Sequence, residues 1–228
     1  MRIAEIYKST QGEGFLTGIV SAFVRASGCN LRCSFCDTPY ASWQPEGDDL
    51  SVDEIITQVN ALDCSHVVMT GGEPMLFAEL IPVCDSLQKA GLHITIETAG
   101  TLYLPVACDL MSISPKLSNS TPPEASAPKW HLRHEQTRHE PEVIRRLVAD
   151  YDYQFKFVIE TPADCLEVIE YLTNFPEVKR NQVMLMPQGT DSQHLFKIGD
   201  WLEPHCHDAG FVFCPRRQVE WFGLVRGT

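Results

Sequence analysis

Three cysteines fall within eight residues, in the run Gly28-Cys29-Asn30-Leu31-Arg32-Cys33-Ser34-Phe35-Cys36-Asp37-Thr38. Three residues separate the first two thiols and two separate the last two. A short loop with this spacing can wrap three thiolates around three corners of one cubane iron–sulfur cluster. Iron–sulfur clusters take thiolate ligands, and a full set would be four. Only three cysteines sit together here, and an iron without a protein ligand can bind a substrate or cofactor. That makes a cluster in this loop a reaction centre rather than a plain electron carrier. The competing chemistry is a structural zinc site, which normally pairs two C-x-x-C halves or adds histidine and closes all four positions. No second half stands out in the chain.

Other polar groups recur where strands are expected to end. Thr70-Gly71-Gly72-Glu73-Pro74 follows the β-rich run His66–Met69. Glycines there let a ligand approach the backbone, and strand C-termini are where α/β folds bind ligands. Glu97-Thr98, Ser112, Ser114-Pro115-Lys116, Lys156 and Met186-Pro187-Gln188-Gly189 occupy equivalent places. Ser9-Thr10-Gln11-Gly12-Glu13-Gly14 precedes a run Ile19–Arg25 that leads into the cysteine loop. Gln11 and Glu13 offer a donor–acceptor pair and an acceptor that can read the edge of a pterin or purine-like ring. Arg25 offers a planar fork for a carboxylate. Read alone, Gln-Gly-Glu-Gly is better taken as a polar loop.

The elements that must position these groups alternate. Strands are expected at Ile19–Arg25, His66–Met69, His93–Glu97, Leu110–Ile113, Tyr153–Ile159, Val183–Met186 and Phe211–Cys214. Ser51 and Glu54 form a capping box at the head of SVDEIITQVNAL. Ala78–Ala90 is helical and stops at Gly91. Pro141–Ala149, Pro162–Leu172 and Asp191–Leu202 are the further helices. Strand–helix alternation implies parallel β-α units. About six units are too few for a closed eight-stranded barrel, so the fold expected is α/β, a partial, open (β/α)6-type barrel over one domain, 1–228. Residues 117–140, rich in Pro, Ser, His and charge, read as a long loop inserted on the rim. His131, His134 and His139 within it read as solvated loop histidines, and His205-Cys206-His207 shows no partner pair for zinc.

At 228 residues the chain can bury a full core. Its net charge of −12 argues against broad binding to a nucleic-acid backbone. There is no apolar run of membrane-spanning length, and MRIAEIYKST lacks a signal-peptide layout. Nine cysteines, an odd count with three clustered, point to a reducing compartment and metal-ligating thiolates. A cytoplasmic protein acting on a small molecule, without membrane or nucleic-acid contacts, is expected.

The cysteine spacing, with Phe35 just before the third thiol, resembles the signature of the radical S-adenosylmethionine (SAM) superfamily. The resemblance implies a [4Fe–4S] cluster on Cys29, Cys33 and Cys36, with SAM on the open iron. It implies SAM contacts from Phe35, Cys36, Asp37, Gly72, Glu73, Ser114, Pro115, Lys116 and Gln188. QGEG, FVR, GCNLRCSFCDT and TGGEP, at these separations, together resemble the 7-carboxy-7-deazaguanine synthase family of queuosine and 7-deazapurine biosynthesis; FKFV and MPQG extend the likeness less specifically. That family implies a carbon–nitrogen lyase that contracts the ring of 6-carboxy-5,6,7,8-tetrahydropterin with loss of ammonia. It starts with hydrogen abstraction from C6 by the adenosyl radical and ends with SAM regenerated. Gln11, Gly12 and Glu13 would read the pterin, Arg25 its carboxylate, and Thr70 a further substrate group. Thr38 would hold Mg²⁺ and Thr228 would reach the substrate through its terminal carboxylate. A homodimer and an electron donor such as flavodoxin or ferredoxin are implied as well. The nearest rival is another small radical SAM enzyme, such as a glycyl-radical activase. It would share the cysteines and GGE without needing Gln11-Gly12-Glu13 or Thr38. A zinc-binding interaction module is the rival from a different class.

Anaerobically purified protein should be brown and carry about four irons per chain. A colourless preparation with a single zinc would instead assign the cysteines to a structural metal site.

Overall fold

A computed structural model describes residues 1–223 and 225–228. In chain order its elements are β1 (Arg2–Thr10), β2 (Val20–Ala26), β3 (Asp48–Asp49), α1 (Val52–Ala61), β4 (His66–Gly71), α2 (Leu80–Lys89), β5 (His93–Thr98) and β6 (Leu110–Ile113). Then follow α3 (Pro128–Thr137), α4 (Pro141–Asp150), β7 (Tyr153–Ile159), α5 (Pro162–Thr173), β8 (Val183–Pro187), α6 (Ser192–Ala209), β9 (Val212–Phe213) and α7 (Arg217–Phe222).

One sheet runs β3-β1-β2-β4-β5-β6-β7-β8-β9. From β2 onward each neighbouring pair is parallel, while β1 runs antiparallel against β2 and β3. Seven parallel strands in chain order, with β3 and β9 left as edges, make the expected open α/β barrel. The central strands are near-continuous apolar runs because both faces are covered: Val67, Val68, Met69, Ile94, Ile96, Met111, Phe155, Phe157 and Leu185 are all buried. Phe155 stacks near Phe157, and Tyr171 and Phe175 from α5 and its exit pack beside them.

Local chemistry sets several boundaries. The α1 capping box is formed in both directions: Ser51 Oγ accepts from Glu54 N–H at 3.3 Å, and Glu54 accepts from Ser51 N–H at 2.8 Å. Gly91 and Gly210 end α2 and α6 with φ of 85° and 74°, the left-handed region that glycine enters without penalty. No helix among the described residues is long and apolar enough to cross a membrane.

Three differences from the sequence reading matter for the site. The N-terminal decapeptide is a nine-residue strand, β1, which adds Glu5 and Tyr7 beside Arg25. The helix expected to end at Leu202 continues to Ala209 and carries Pro204 inside it. The segment 117–140 is not a plain loop, for it contains α3, ten residues long with Pro128 in its first turn. The helical period was hidden because α3 packs through Trp130 and His134 rather than through aliphatic residues. His134 is 1% exposed, so its reading as a solvated histidine is corrected. His139 is corrected too, lying edge-on to Tyr171 with ring centres 4.9 Å apart. His131 is half-buried beside the Pro122 carbonyl oxygen, 3.0 Å from its Nδ1.

The ends of β2 and β4 are locked together by glycine. Gly71 has φ +127°, and a Cβ on Gly72 would overlap the carbonyl oxygens of Gly28 and Ala41. Gly72→Ala should therefore destabilise the fold by roughly 1–3 kcal/mol, as overpacking does. Urea denaturation checks this, and an unchanged midpoint would show that the two strand ends can part freely.

Candidate active site

The C-terminal ends of the parallel strands open into one cavity of about 390 Å³. Cys29, Cys33 and Cys36 form part of its wall, and no other cysteine among the described residues lines it. Two of the thiols are hard to ionise unaided. Burial, with Glu73 adding to it, pushes Cys29 up to about 12, and burial pushes Cys33 up to about 11. Bound iron would supply the positive charge that reverses this.

The donor set fits a cubane better than a single ion. Four thiolates on one zinc, at Zn–S of about 2.3 Å, would put sulfurs roughly 3.8 Å apart. Among the described residues no three Cys, His, Asp or Glu side chains converge to hold one ion. Three thiols on the cavity wall, with no fourth cysteine there among the described residues, suit a cluster with one corner left for another ligand. His205, Cys206 and His207 lie on α6, where Cys206 is buried and His207 faces solvent.

The cysteine loop is braced from outside the cavity by the 117–137 segment. His134 Nδ1 accepts from the Arg32 N–H at 3.2 Å, so Nε2 carries the proton and donates to Ser120 Oγ at 2.9 Å. Ser120 Oγ in turn donates to the Leu117 carbonyl at 2.6 Å, and Ser34 N–H donates to the Ser120 carbonyl at 2.8 Å. Arg32 folds back to donate to the carbonyls of Cys29 and Leu31, both at 2.7 Å. Burial lowers His134 to about 4, so the ring stays neutral and keeps this pattern.

The opposite wall is charged. Lys156, 4% exposed, donates to Glu13 at 3.0 Å and to Glu97 at 2.7 Å. Burial opposes its charge, but the two carboxylates outweigh burial and raise its pKa. Burial likewise opposes ionisation of Glu13, yet Lys156 and Arg216 overcome it and hold the carboxyl at about 2. Glu13 also accepts from Gln218 at 2.6 Å, and Arg216 at 3.1 Å reaches on to Asp37. Thr70 donates to Glu97 at 2.9 Å. Arg25 pairs with Glu5 at 2.7 Å and with the Tyr7 hydroxyl at 2.7 Å, bonds that leave Nη1 out.

Most residues expected in the site line this cavity: Gln11, Gly12, Glu13, Arg25, Phe35, Asp37, Thr38 and Thr70 do. So do Gly72, Ser114, Lys116, Gln188 and Thr228. Two do not. The Glu73 side chain is fully buried and accepts from Thr98 Oγ, from Ala99 N–H at 2.9 Å and from Met75 N–H at 3.1 Å. It ties the ends of β4 and β5 together, and the cavity surface there belongs to Gly71 and Gly72. Pro115 is likewise absent from the wall. The residues that sequence reasoning missed are Arg216, Gln218, Glu5 and Tyr7. The β-branched and aromatic residues Ile3, Ile6, Tyr7 and Thr10 were the only strand signal for the last two. Arg216 and Gln218 left none, because their partner Glu13 is some 200 residues away in the chain. The C-terminal segment folds over the Gln11–Gly14 loop, with Arg217 N–H donating to the Gly12 carbonyl at 3.0 Å. Arg226 sits 4.2 Å over the Tyr40 ring.

The radical SAM superfamily matches residues 23–150. A 7-carboxy-7-deazaguanine synthase of Rhodopirellula baltica is 43% identical over 227 residues, covering 99% of this chain and 88% of the relative. One of Halobacterium salinarum is 39% identical, covering 95% and 88%. The crystal structure of QueE from Escherichia coli superposes with a TM-score of 0.69 over 94% of this chain and 92% of that one. Its 21% identity makes it evidence of fold alone.

His134→Gln should weaken the brace without opening the core. The neutral ring has a folded pKa below its unfolded value, so its contribution is full above about pH 6.5. That contribution fades as pH falls to about 4, where it is gone. The stability difference between parent and variant, followed in metal-free protein by urea denaturation across this range, should shrink by up to a few kcal/mol. A pH-independent difference would refute the neutral-imidazole assignment.

Proposed function

The chain belongs to the 7-carboxy-7-deazaguanine synthase family of the radical SAM superfamily, and on that premise we propose that this cavity converts 6-carboxy-5,6,7,8-tetrahydropterin to 7-carboxy-7-deazaguanine. The observation that carries the reading is the juxtaposition of three thiols with the charged Gln11–Glu13 wall in one cavity. Cys29, Cys33 and Cys36 would hold a four-iron cluster, which with SAM would supply radical hydrogen-abstraction chemistry.

The protein's own work is positioning and exclusion. Backbone at Gly72 and polar groups at Ser114, Lys116 and Gln188 offer contacts for SAM, with Phe35, Cys36 and Asp37 at the cysteine loop. Glu13 has about four acceptor positions as a carboxylate. Lys156, Arg216 and Gln218 occupy three, and a ring N–H takes the remaining one or displaces Gln218. Gln11 is anchored through Nε2 to Ser21 Oγ at 2.9 Å, which leaves its carbonyl and a second N–H for the ring edge. Arg25 meets the substrate carboxylate with Nη1, its orientation fixed by Glu5 and Tyr7. Thr70 is held by Glu97 in the adjacent position. Thr38 presents its hydroxyl on the cavity wall, 3.9 Å from the Cys36 sulfur. With substrate oxygens and waters it would complete a hard-oxygen shell for Mg²⁺. Thr228 contributes to the same wall. In reaction class this is a carbon–nitrogen lyase, and the protein acts as a cytoplasmic homodimer.

Anaerobic turnover with 6-carboxytetrahydropterin, SAM and dithionite should yield 7-carboxy-7-deazaguanine and ammonia. Replacing Gln11 and Glu13 together by alanine should raise KM for the pterin by at least about tenfold while iron content stays normal. SAM cleavage without any deazapurine would sink the assignment in favour of another radical SAM activity.

A further inference from the structure

In a chain of net charge −12, a group of cations without carboxylate partners stands out. Lys129 and Arg133 are exposed on α3. Between them is Trp130, whose ring centre lies 4.2 Å from the Arg32 guanidinium carbon and 5.3 Å from that of Arg133. Two like charges thus share one indole. Among the described residues none of the three cations is ion-paired. The acid on the same helix, Glu135, is spent on Arg138 and Thr121, and Glu124 stands exposed in the loop before α3. Of the cavity cations, Arg25, Lys156 and Arg216 each have a carboxylate, and Lys116 is held by Ser114. Leu132, 59% exposed, adds apolar surface.

This patch lies directly behind the cysteine loop. Arg32 sits between Cys29 and Cys33, yet neither Arg32 nor any α3 residue lines the cavity. The surface therefore faces outward from the place where the cluster is held.

We propose that Arg32, Lys129, Trp130, Leu132 and Arg133 form the docking surface for a small acidic protein carrying a one-electron redox group. The proposal rests on the reading that the three cysteines hold the cluster. One electron leaves the reduced carrier and arrives at the cluster through the Cys29–Cys33 loop, and no bond or proton moves in that step. An acidic carrier is repelled by most of this protein, so an uncompensated positive spot selects the one productive orientation and speeds encounter. Transient redox contacts are small, and one helix face with a loop is enough area. Arginine and tryptophan are the residues such patches favour.

The test uses the cluster-loaded enzyme and a flavodoxin as the acidic carrier. Binding is read from flavin fluorescence anisotropy at low ionic strength, and turnover is measured with reduced flavodoxin and, separately, with dithionite. In a Lys129→Glu, Arg133→Glu variant, flavodoxin binding should weaken at least about tenfold and lose its salt dependence. Dithionite-driven turnover and iron content should stay unchanged. Unaltered flavodoxin binding would overturn the proposal. An equal loss with dithionite would overturn it too, since the residues would then merely support the cysteine loop. A changed oligomeric mass on sedimentation would reassign the surface to a second copy of the chain. Failure of dithionite to drive the unmodified enzyme would count against the proposed function, whereas the anisotropy reading addresses the docking surface without turnover.

Discussion

The Lys156 ammonium, buried between Glu13 and Glu97, is the interaction on which the shape of the site depends. A charge taken out of water costs several kcal/mol unless it is paired and hydrogen-bonded. Lys156 meets that requirement with one carboxylate from β5 and one from the loop between β1 and β2. Glu13 then satisfies its remaining oxygen with Arg216 and Gln218 from the C-terminal segment. One cation therefore fixes the relative placement of the Gln11–Gly14 loop, two strands and the chain's end. An apolar core would hold the sheet at lower cost. A fully paired polar network instead leaves the cavity preformed and lined with oriented donors and acceptors.

The facing wall follows the opposite electrostatic rule. Burial keeps the Cys29 and Cys33 thiols neutral, and no cation among the described residues pairs with them directly. Charge is to be supplied by what binds there. The two walls meet on β2, where Arg25 is four residues from Cys29, so one strand aligns the substrate end of the cavity with the metal end. Close contact between Gly72 and the Gly28 carbonyl keeps that strand end against β4. Glu73 works from beneath. Its buried carboxylate gathers donors from the ends of β4 and β5, so the motif's acid stabilises the platform while its glycines form the surface.

Much of this was legible without coordinates wherever the chemistry is local. The cysteine spacing, the Gly71-Gly72 pair, the apolar strands and the Ser51–Glu54 capping box are each set by neighbours within a few residues. They came out where the sequence put them because short-range sterics and period-two or period-3.6 burial decide them. Tertiary structure alone decided the rest. Arg216 reaches Glu13 across 203 positions, and no periodicity announces such a pair. The helix α3 was hidden because its one buried residue is a histidine, His134, whose burial depends on partners supplied by Arg32 and Ser120. Whether a polar group is buried is settled by whether distant donors and acceptors arrive to satisfy it, and that information lies in the fold.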